Sequence, residues 1–207
     1  MVEEGTATIN RLHELLSEFG VVQALKAQTV CPEAGDTLDG LLGYAQRAMG
    51  DLLSHLHFLD DRVGEYDVLI REAARADARS KRPMEMPGIG LTTASTLLAS
   101  IGNRHDFKAG RQFAMWLGLT PGQYSSGGKA RLGEITKAGD ADLRTLLILG
   151  TRAVLASAKE KTDRISRWAM CVAERRSYWR AVVAVAAKNA HMAWAMLAKS
   201  KSFVPIA

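Results

Sequence analysis

Residues 84–101 read Met-Glu-Met-Pro-Gly-Ile-Gly-Leu-Thr-Thr-Ala-Ser-Thr-Leu-Leu-Ala-Ser-Ile, and they decide the fold of the second half of the chain. A Gly-apolar-Gly turn between two short helices is the helix-hairpin-helix pattern, and the small Ala94 suits the point where the helices approach. Gly88 and Gly90 free the backbone amides that begin the second helix to face a phosphate, with help from the helix dipole. We therefore predict phosphate binding by Gly88, Ile89 and Gly90; a tight helical turn without a ligand is the alternative.

Apolar residues at helical spacing predict a mainly α chain on both sides of this hairpin. A first helix over 6–19 ends at Gly20. After the hairpin, the pattern predicts helices over 107–118, 142–159, 165–175 and 178–198. The expected fold is a helical linker with coiled-coil character, followed by a helical domain that contains the hairpin and a serine loop or short β-ribbon.

The first half of the chain carries one long apolar stripe. Its residues alternate steps of four and three, the a/d repeat of a coiled coil: Ala45, Met49, Leu52, Leu56, Leu59, Val63, Tyr66, Ile70 and Ala73. The stripe can pack against the chain's own helices or pair with a second chain, and the sequence leaves both open. Mixed charges over 71–82 continue the helix, which ends at Pro83, and we expect residues 71–82 to form a hinge. We therefore predict a helical linker over 1–82 and a C-terminal domain over 83–207.

Charge divides the chain at the same place. Residues 1–82 carry nine Lys and Arg against fourteen Asp and Glu, a balance of −5, and 83–207 carry eighteen against eight, a balance of +10. Together they give the formal net charge of +5. A basic segment after an acidic one favours contact between the second half and a polyanion. Nucleic acid is therefore the first partner to consider.

Composition narrows the class of protein further. With 47% hydrophobic and 24% charged residues over 207 positions, the chain is long and apolar enough to bury a core. No apolar run approaches the ~18 residues of a membrane span, and no signal segment begins the chain, so we expect a cytoplasmic protein with no membrane partner. The two cysteines lie far apart without Cys-x-x-Cys spacing, and we predict no metal site and no cofactor within this chain.

The strongest chemical signal lies in residues 119–144, Leu-Thr-Pro-Gly-Gln-Tyr-Ser-Ser-Gly-Gly-Lys-Ala-Arg-Leu-Gly-Glu-Ile-Thr-Lys-Ala-Gly-Asp-Ala-Asp-Leu-Arg. Two serine hydroxyls stand on a glycine-flexed loop, which we expect to lie in a short β-ribbon around 123–135. Nearby cations can hold phosphate oxygens and stabilise the charge of a phosphoryl-transfer transition state. This favours attack on a phosphodiester, with a solvated turn as the alternative. The group consists of Ser125, Ser126, Lys129, Arg131, Lys137 and Arg144.

The whole string resembles the transposases of the insertion-sequence 110 family, with their 116, 902 and 1111 relatives. The elements Gly-Leu-Thr-Pro, Ser-Gly-Gly-Lys, Gly-x-Ile-Thr-Lys-x-Gly and Leu-Arg follow one another in the family's order. The likeness extends upstream to Met86-Pro-Gly-Ile-Gly and to residues 107–116, and downstream to Arg144-Thr-Leu-Leu. It covers about residues 84–200.

The resemblance implies that the activity is divided between separate domains. Family members combine a ribonuclease-H-like domain bearing four metal-binding acidic residues, a coiled-coil linker, and a C-terminal domain whose serine attacks DNA and becomes joined to it. The family's Ser-Gly pair maps onto Ser126-Gly127, which implies Ser126 as the catalytic nucleophile, whereas Tyr124 is a competing nucleophile that we expect to pack. DNA or phosphate binding is then implied for Gly88, Ile89, Gly90, Ser125, Gly127, Lys129, Arg131, Lys137 and Arg144. Lys137 and Arg144 could equally cap a helix or bridge to an acid.

Two departures from the family pattern qualify what the resemblance implies. Residues 1–82 show no set of acidic residues that could rebuild a ribonuclease-H-like domain, so we expect a truncated copy. A divalent metal such as Mg²⁺ would then belong to the missing acidic domain. Glu134 stands where the family carries a basic residue, and it must bond a neighbouring Lys or Arg or weaken DNA binding.

The sequence thus predicts DNA transposition or recombination by serine attack on a phosphodiester, needing a separate acidic domain. A non-catalytic helix-hairpin-helix module that binds DNA is one alternative, and a dimerising transposase remnant is another. The partners implied are DNA, a guide RNA encoded by the element, and a second copy of the chain through the coiled coil. A second basic cluster with aromatic neighbours, at 175–180, could follow a nucleic-acid backbone or form a solvated helix end.

Overall fold

The computed structural model describes residues 1–20, 43–101, 107–125, 127–129, 131–200 and 202–203. Within these ranges the chain forms eight α-helices and one two-stranded ribbon, which confirms the predicted mainly α fold. The chain divides into two compact units, Met1–Leu69 and Ile70–Ala207. The elements are α1 (Val2–Glu18), α2 (Gly43–Ala76), α3 (Ala78–Met84), α4 (Leu91–Ile101), α5 (Gly110–Trp116), β1 (Pro121–Gln123), β2 (Leu132–Ile135), α6 (Ala141–Ser157), a 3₁₀ turn (Ala158–Glu160), α7 (Arg164–Arg176) and α8 (Tyr178–Lys199).

The unit Met1–Leu69 contains α1 and most of α2. Gly20 follows the end of α1 with a φ of 77°, the left-handed conformation that glycine adopts most readily. The core of this unit joins Leu12 and Leu16 of α1 to three residues of α2, which are Met49, Leu53 and Leu56. The first part of the apolar stripe therefore packs against the chain's own helix, one of the two alternatives that the sequence left open.

Further along α2, large apolar side chains of the same unit stay exposed. Phe58 is 59% exposed, Tyr66 43% and Leu69 57%. The guanidinium of Arg62 covers one face of the Tyr66 ring, with Cζ 5.2 Å from the ring centroid. Of these three residues only Tyr66 belongs to the stripe, whereas Phe58 and Leu69 lie beside it, and the stripe residue Leu59 is buried.

The long helix ends earlier than the sequence predicted. It stops at Ala76, and the side chain of Asp77 caps a separate helix, α3, by accepting a hydrogen bond of 2.8 Å from the Arg79 amide. The Arg79 side chain also donates to this carboxylate and lowers the pKa of Asp77. Pro83 lies inside α3, so the predicted helix end at Pro83 was wrong: an Asp N-cap begins a new helix first. The hinge over 71–82 stays a prediction. The domain boundary at 82/83 stays a prediction.

The unit Ile70–Ala207 is organised around α8, which contacts α3, α4, α5, α6 and α7. Small side chains let these helices approach closely, and four alanines of α8 are completely buried: Ala181, Ala186, Ala190 and Ala193. By length and composition alone α8 could cross a membrane, but half of its apolar window is buried in this core. This burial is the pattern of a core helix.

Helices α3 and α4 are joined by the turn 85–90, for which the sequence predicts a helix-hairpin-helix. Gly88 has a φ of 81°, and a Cβ placed on it would lie 2.7 Å from the carbonyl oxygen of Gly150 in α6. The amide of Asn189 in α8, only 1% exposed, donates a hydrogen bond of 3.1 Å to the Pro87 carbonyl. The turn is therefore held against two other helices, and the crossing with α6 requires glycine on both sides.

We predict that Gly150→Ala destabilises the unit Ile70–Ala207, although alanine is the better helix former by about 1 kcal/mol. The added methyl would overlap the Gly88 carbonyl, so the free energy of unfolding should fall by about 1–3 kcal/mol. Gly90→Ala is the matched control, since Gly90 is exposed and has no atom within 4 Å of its Cβ position. Denaturant unfolding measures both variants, and equal stability of the two would contradict the close crossing.

Candidate functional site

The serine loop connects the two strands of an antiparallel ribbon. Pro121 pairs with Ile135 and Gln123 with Leu132, so β2 has one residue more than β1 between these pairs. Such a bulge bends the ribbon and changes the direction of its side chains. Beyond the strands, the Tyr124 amide donates to the Arg131 carbonyl at 2.8 Å. The ribbon that the sequence predicted around 123–135 is therefore present, and it begins at Pro121.

The base of the ribbon is fixed by the end of α5. Gly118 adopts a φ of 68°, and the amides of Gly118 and Leu119 bond back to the carbonyls of Met115 and Ala114. This is the Schellman arrangement, which ends a helix at a left-handed glycine. The Gly118 carbonyl then accepts a hydrogen bond of 3.2 Å from the Lys137 amide. The two arms of the ribbon are thus joined where they leave the helical core.

Arg144, in the first turns of α6, holds the same region together. Its Nη1 donates to the carbonyls of Leu117 at 3.0 Å, Ala138 at 3.2 Å and Asp140 at 3.5 Å. The side chain of Asp140 caps α6 by accepting from the Leu143 amide at 2.9 Å. This geometry matches the helix-capping alternative for Arg144, because Leu117 is the C-cap residue of α5. Phosphate binding by Arg144 stays a prediction.

At the tip of the ribbon, Ser125 is engaged within the protein. Its Oγ accepts hydrogen bonds from the Arg131 amide at 3.1 Å and from Gln123 Nε2 at 3.0 Å. Gly127 and Gly128 follow with φ of 57° and 77°, conformations that favour glycine. Ser126, the predicted nucleophile, lies outside the described residues.

Tyr124 packs across the ribbon. A Cβ on Gly133 would lie 2.8 Å from Tyr124 Cε2, so the ring occupies the space that the glycine leaves open. An aromatic side chain over a strand glycine in this way stabilises a short ribbon. The tyrosine is still 74% exposed, so its hydroxyl is open to solvent at one edge.

The predicted phosphate-binding cations occupy different parts of the ribbon. Lys129 and Arg131 are exposed near the tip, whereas Lys137 is exposed at the base with an unusual left-handed φ of 55°. Glu134 is exposed on β2 and forms no ion pair with any Lys or Arg among the described residues. Without such a pair, its carboxylate reduces the positive potential beside Lys129 and Arg131.

The hairpin turn and the ribbon base both contact α6. Gly88 lies against Gly150, whereas Ala138 accepts from Arg144, six residues earlier on the helix. At 1.5 Å and 100° per residue, the two contacts are about 9 Å apart along α6 and on different sides of it. Within the hairpin, Ile89 is a buried anchor at 6% exposure, whereas Gly90 faces solvent. One helix thus positions both features that the sequence predicted to contact phosphate.

The sequence of this segment is similar to that of known proteins. Residues 80–167, from α3 into α7, match the model of the transposase IS116/IS110/IS902 family. Over these residues the chain is similar to this family. The resemblance drawn from the sequence motifs is therefore confirmed, and the matched segment contains the hairpin, the ribbon and all of α6.

Curated relatives extend the similarity over nearly the whole chain. A probable family 20 transposase of Pseudomonas aeruginosa is 38% identical over 99% of this chain and 62% of its own length. The transposase for insertion sequence element IS1111A of Coxiella burnetii is 38% identical over 98% of this chain and 57% of its own length. The transposase for insertion sequence element IS1328 of Yersinia enterocolitica is 29% identical, over 98% and 61%. The chain thus spans about three-fifths of the length of these relatives.

Within the family segment, sequence reasoning missed the residues that hold the ribbon. The sequence motifs contain Gly118 and Gly139 but assign neither of them a structural partner. A Cβ on Gly139 would overlap the Trp116 carbonyl, so both glycines allow the backbone to cross at the base of the ribbon. The fixed spacing of Gly-Leu-Thr-Pro and Lys-x-Gly was the available signal, but it does not reveal the partner of each glycine.

Proposed function

We propose that this chain supplies the serine-bearing domain of a DNA transposase, with Ser126 as the nucleophile. The observation that carries the proposal is the family match over the ribbon, together with the hydrogen bonds that already engage the neighbouring hydroxyl of Ser125. Ser125 closes the ribbon, and the Ser126-Gly127 pair is the one that corresponds to the family's catalytic motif. The two adjacent serines therefore have different roles.

The proposed step is a transesterification at phosphorus. Ser126 Oγ forms a bond to the phosphorus of DNA, the phosphorus–oxygen bond to one deoxyribose breaks, and the released oxygen takes a proton while the serine loses one. Negative charge grows on the phosphoryl oxygens in the transition state, where Lys129 and Arg131 can offset it. The bond energy stays in the serine–phosphate ester, so a later strand can be rejoined without another energy source.

DNA binding is proposed to extend from the ribbon to the hairpin. Gly90 precedes α4 and is exposed, so the first amides of this helix can face a phosphate. Gly88 turns toward α6 and Ile89 is buried, so these two residues shape the turn from the inside. Lys137 and the positive balance of residues 83–207 add electrostatic attraction that salt should weaken.

The family resemblance implies a divalent metal such as Mg²⁺. This metal would be bound by the acidic domain and not by this chain. Among the described residues, no group of three or more His, Cys, Asp and Glu is placed to hold a metal ion. No step proposed for this chain is routed through one. A guide RNA, localisation in the cytoplasm and a requirement for the acidic domain likewise rest on family resemblance.

The test is a covalent adduct. We predict that the chain, supplied with the acidic domain of an intact relative, Mg²⁺ and element-end DNA, yields a protein–DNA adduct that resists denaturation by detergent. Ser126→Ala should abolish the adduct, whereas Ser125→Ala and Tyr124→Phe should largely keep it. Ser125→Ala removes two hydrogen bonds at the tip of the ribbon and should cost about 1 kcal/mol. Adduct yields are therefore compared at a temperature where all variants are folded.

Two results would redirect this assignment. An adduct that survives Ser126→Ala but disappears in Ser125→Ala or Tyr124→Phe would move the nucleophile to that residue. DNA binding without an adduct in any variant, including the unaltered chain, would favour the non-catalytic DNA-binding module that the sequence left as the alternative.

We also propose that the chain forms a dimer through the later part of α2. The first part of its stripe is covered by α1, so the surface available is the exposed face that includes Phe58, Tyr66 and Leu69. Exposed apolar residues at helical spacing associate readily with a second helix of the same kind. This contact shares Tyr66 with the predicted a/d stripe, and Phe58 and Leu69 extend it to one side of the stripe.

We predict that sedimentation of the full chain shows a dimer that Leu69→Lys dissociates. The charge would lie in the proposed contact, where burying it is unfavourable. Leu149→Lys is the matched control, because Leu149 of α6 is also exposed, at 49% against 57%. A monomer at high concentration, or equal effects of the two substitutions, would reject the dimer.

A further inference from the structure

Two aromatic side chains project into solvent where α7 meets α8. Tyr178 is 43% exposed and Trp179 is 60% exposed, and their ring centroids lie 5.5 Å apart at an angle of 78°. The core alanines of α8 are buried, whereas these two rings lie in its first turn and face water. Their faces are available to a partner that stacks.

Positive charge surrounds the two rings. Arg175 and Arg176 end α7 and Arg180 lies in the first turn of α8, all exposed, and residues 175–180 contain no acidic side chain. Arg152 reaches this place from α6, with its guanidinium 5.5 Å from the centroid of the Trp179 ring. Three arginines and two exposed rings therefore lie at one turn, with a fourth arginine over the Trp179 ring, a composition that suits phosphates and bases together.

The turn itself has an uncommon backbone. Ser177 has a φ of 148° and a ψ of 161°, in a region that is nearly exclusive to glycine. This residue separates the two helices and sets the direction in which Tyr178 and Trp179 leave the core. Strain of this kind persists where the surrounding structure imposes it, and it is concentrated at binding sites.

We propose that the arginine-aromatic turn, defined as Arg152, Arg175, Arg176, Tyr178, Trp179 and Arg180, binds an unpaired polynucleotide strand. Bases would stack on the rings of Tyr178 and Trp179, and the arginines would hold the flanking phosphates. Duplex DNA does not fit this role as well, because its base faces are already stacked on one another. Unpaired DNA near a cleaved element end is one source of such a strand, and single-stranded RNA is another.

The arginine-aromatic turn is distinct from the serine ribbon, by which we mean β1, β2 and the serine loop between them. Residues 175–180 lie beyond the segment 80–167 that matches the family. Arg152 and Arg144 are eight residues apart on α6, so the two regions are separated by about 12 Å along that helix. A strand held at this turn would therefore be close to the ribbon without occupying it. The inference rests on the proposed function only in taking nucleic acid as the partner.

The test uses fluorescence anisotropy of the full chain with labelled oligodeoxythymidine, oligouridine and a duplex, each of about 16 nucleotides or base pairs. We predict that Trp179→Ala weakens binding of single strands about tenfold and changes duplex binding less than about twofold, as expected for loss of one stacked base. Trp179→Phe should keep most of the affinity because it retains an aromatic face. Tyr44→Ala is the control, since Tyr44 is also an exposed aromatic and belongs neither to the proposed dimer surface nor to the ribbon.

Three outcomes would overturn the proposal. Unchanged single-strand affinity in a folded Trp179→Ala, or equal loss on single strands and duplex, would exclude a stacking surface. Binding to phosphatidylserine vesicles that Trp179→Ala abolishes, without single-strand binding, would identify a membrane surface instead. Melting temperatures of the variants show whether each is folded. Arg152→Ala is a second test, because it should also weaken single-strand binding while the Trp179 ring is retained. Adduct formation at Ser126 is scored separately, so either proposal can fail alone.

Discussion

The serine ribbon depends on backbone crossings that only glycine permits. A side chain on Gly118 would meet the backbone of Lys137 and Ala138, and one on Gly139 would meet the Trp116 carbonyl. No rotamer change can relieve an overlap between two backbones, so these contacts fix how the ribbon leaves the core. Arg144 adds hydrogen bonds to the carbonyls at the crossing. The ribbon is thus positioned by α5 and α6 at its base.

This separation of roles explains the density of polar residues around the loop. Ser125 and Arg144 satisfy groups within the protein, and Tyr124 covers Gly133. The residues that remain open near the tip, Lys129 and Arg131, are those with cationic side chains suited to DNA phosphates. Charge alone does not distinguish the structural residues from the candidate binding residues, because Arg144 serves structure in the same segment in which Lys129 and Arg131 are exposed.

The helices were predictable from sequence because their apolar residues recur at 3.6-residue spacing, as in α8, where the predicted start at Tyr178 was correct. The ribbon was predictable from its glycines and its motif. The break at Asp77 was not, since a charged residue in a charged helix gives little sign that it will act as an N-cap. Nor was the contact of Gly88 with Gly150, because a close approach between distant segments leaves no local pattern.

The candidate site was predictable only as a set of residue types. The motif placed serines, glycines and cations in one segment, but the hydrogen bonds of Arg144 to Leu117 and Ala138 depend on the packing of three elements. The limited extent of the exposed stripe on α2 has the same origin, since α1 covers Met49 and Leu56 through tertiary packing. Local periodicity identifies an apolar face, and the rest of the fold decides what covers it.

Hydrogen exchange at the ribbon tests the central claim, a fixed base and an open tip, most directly. The amides of Thr136 and Lys137, which bond to Thr120 and Gly118, should exchange slowly, and those of Gly127 and Gly128 should exchange rapidly. Arg144→Lys loses the guanidinium contacts to three carbonyls and should speed exchange at Thr136 and Lys137 about tenfold or more. Rapid exchange at both base amides in the unaltered chain, or no response to Arg144→Lys, would contradict a ribbon positioned from its base.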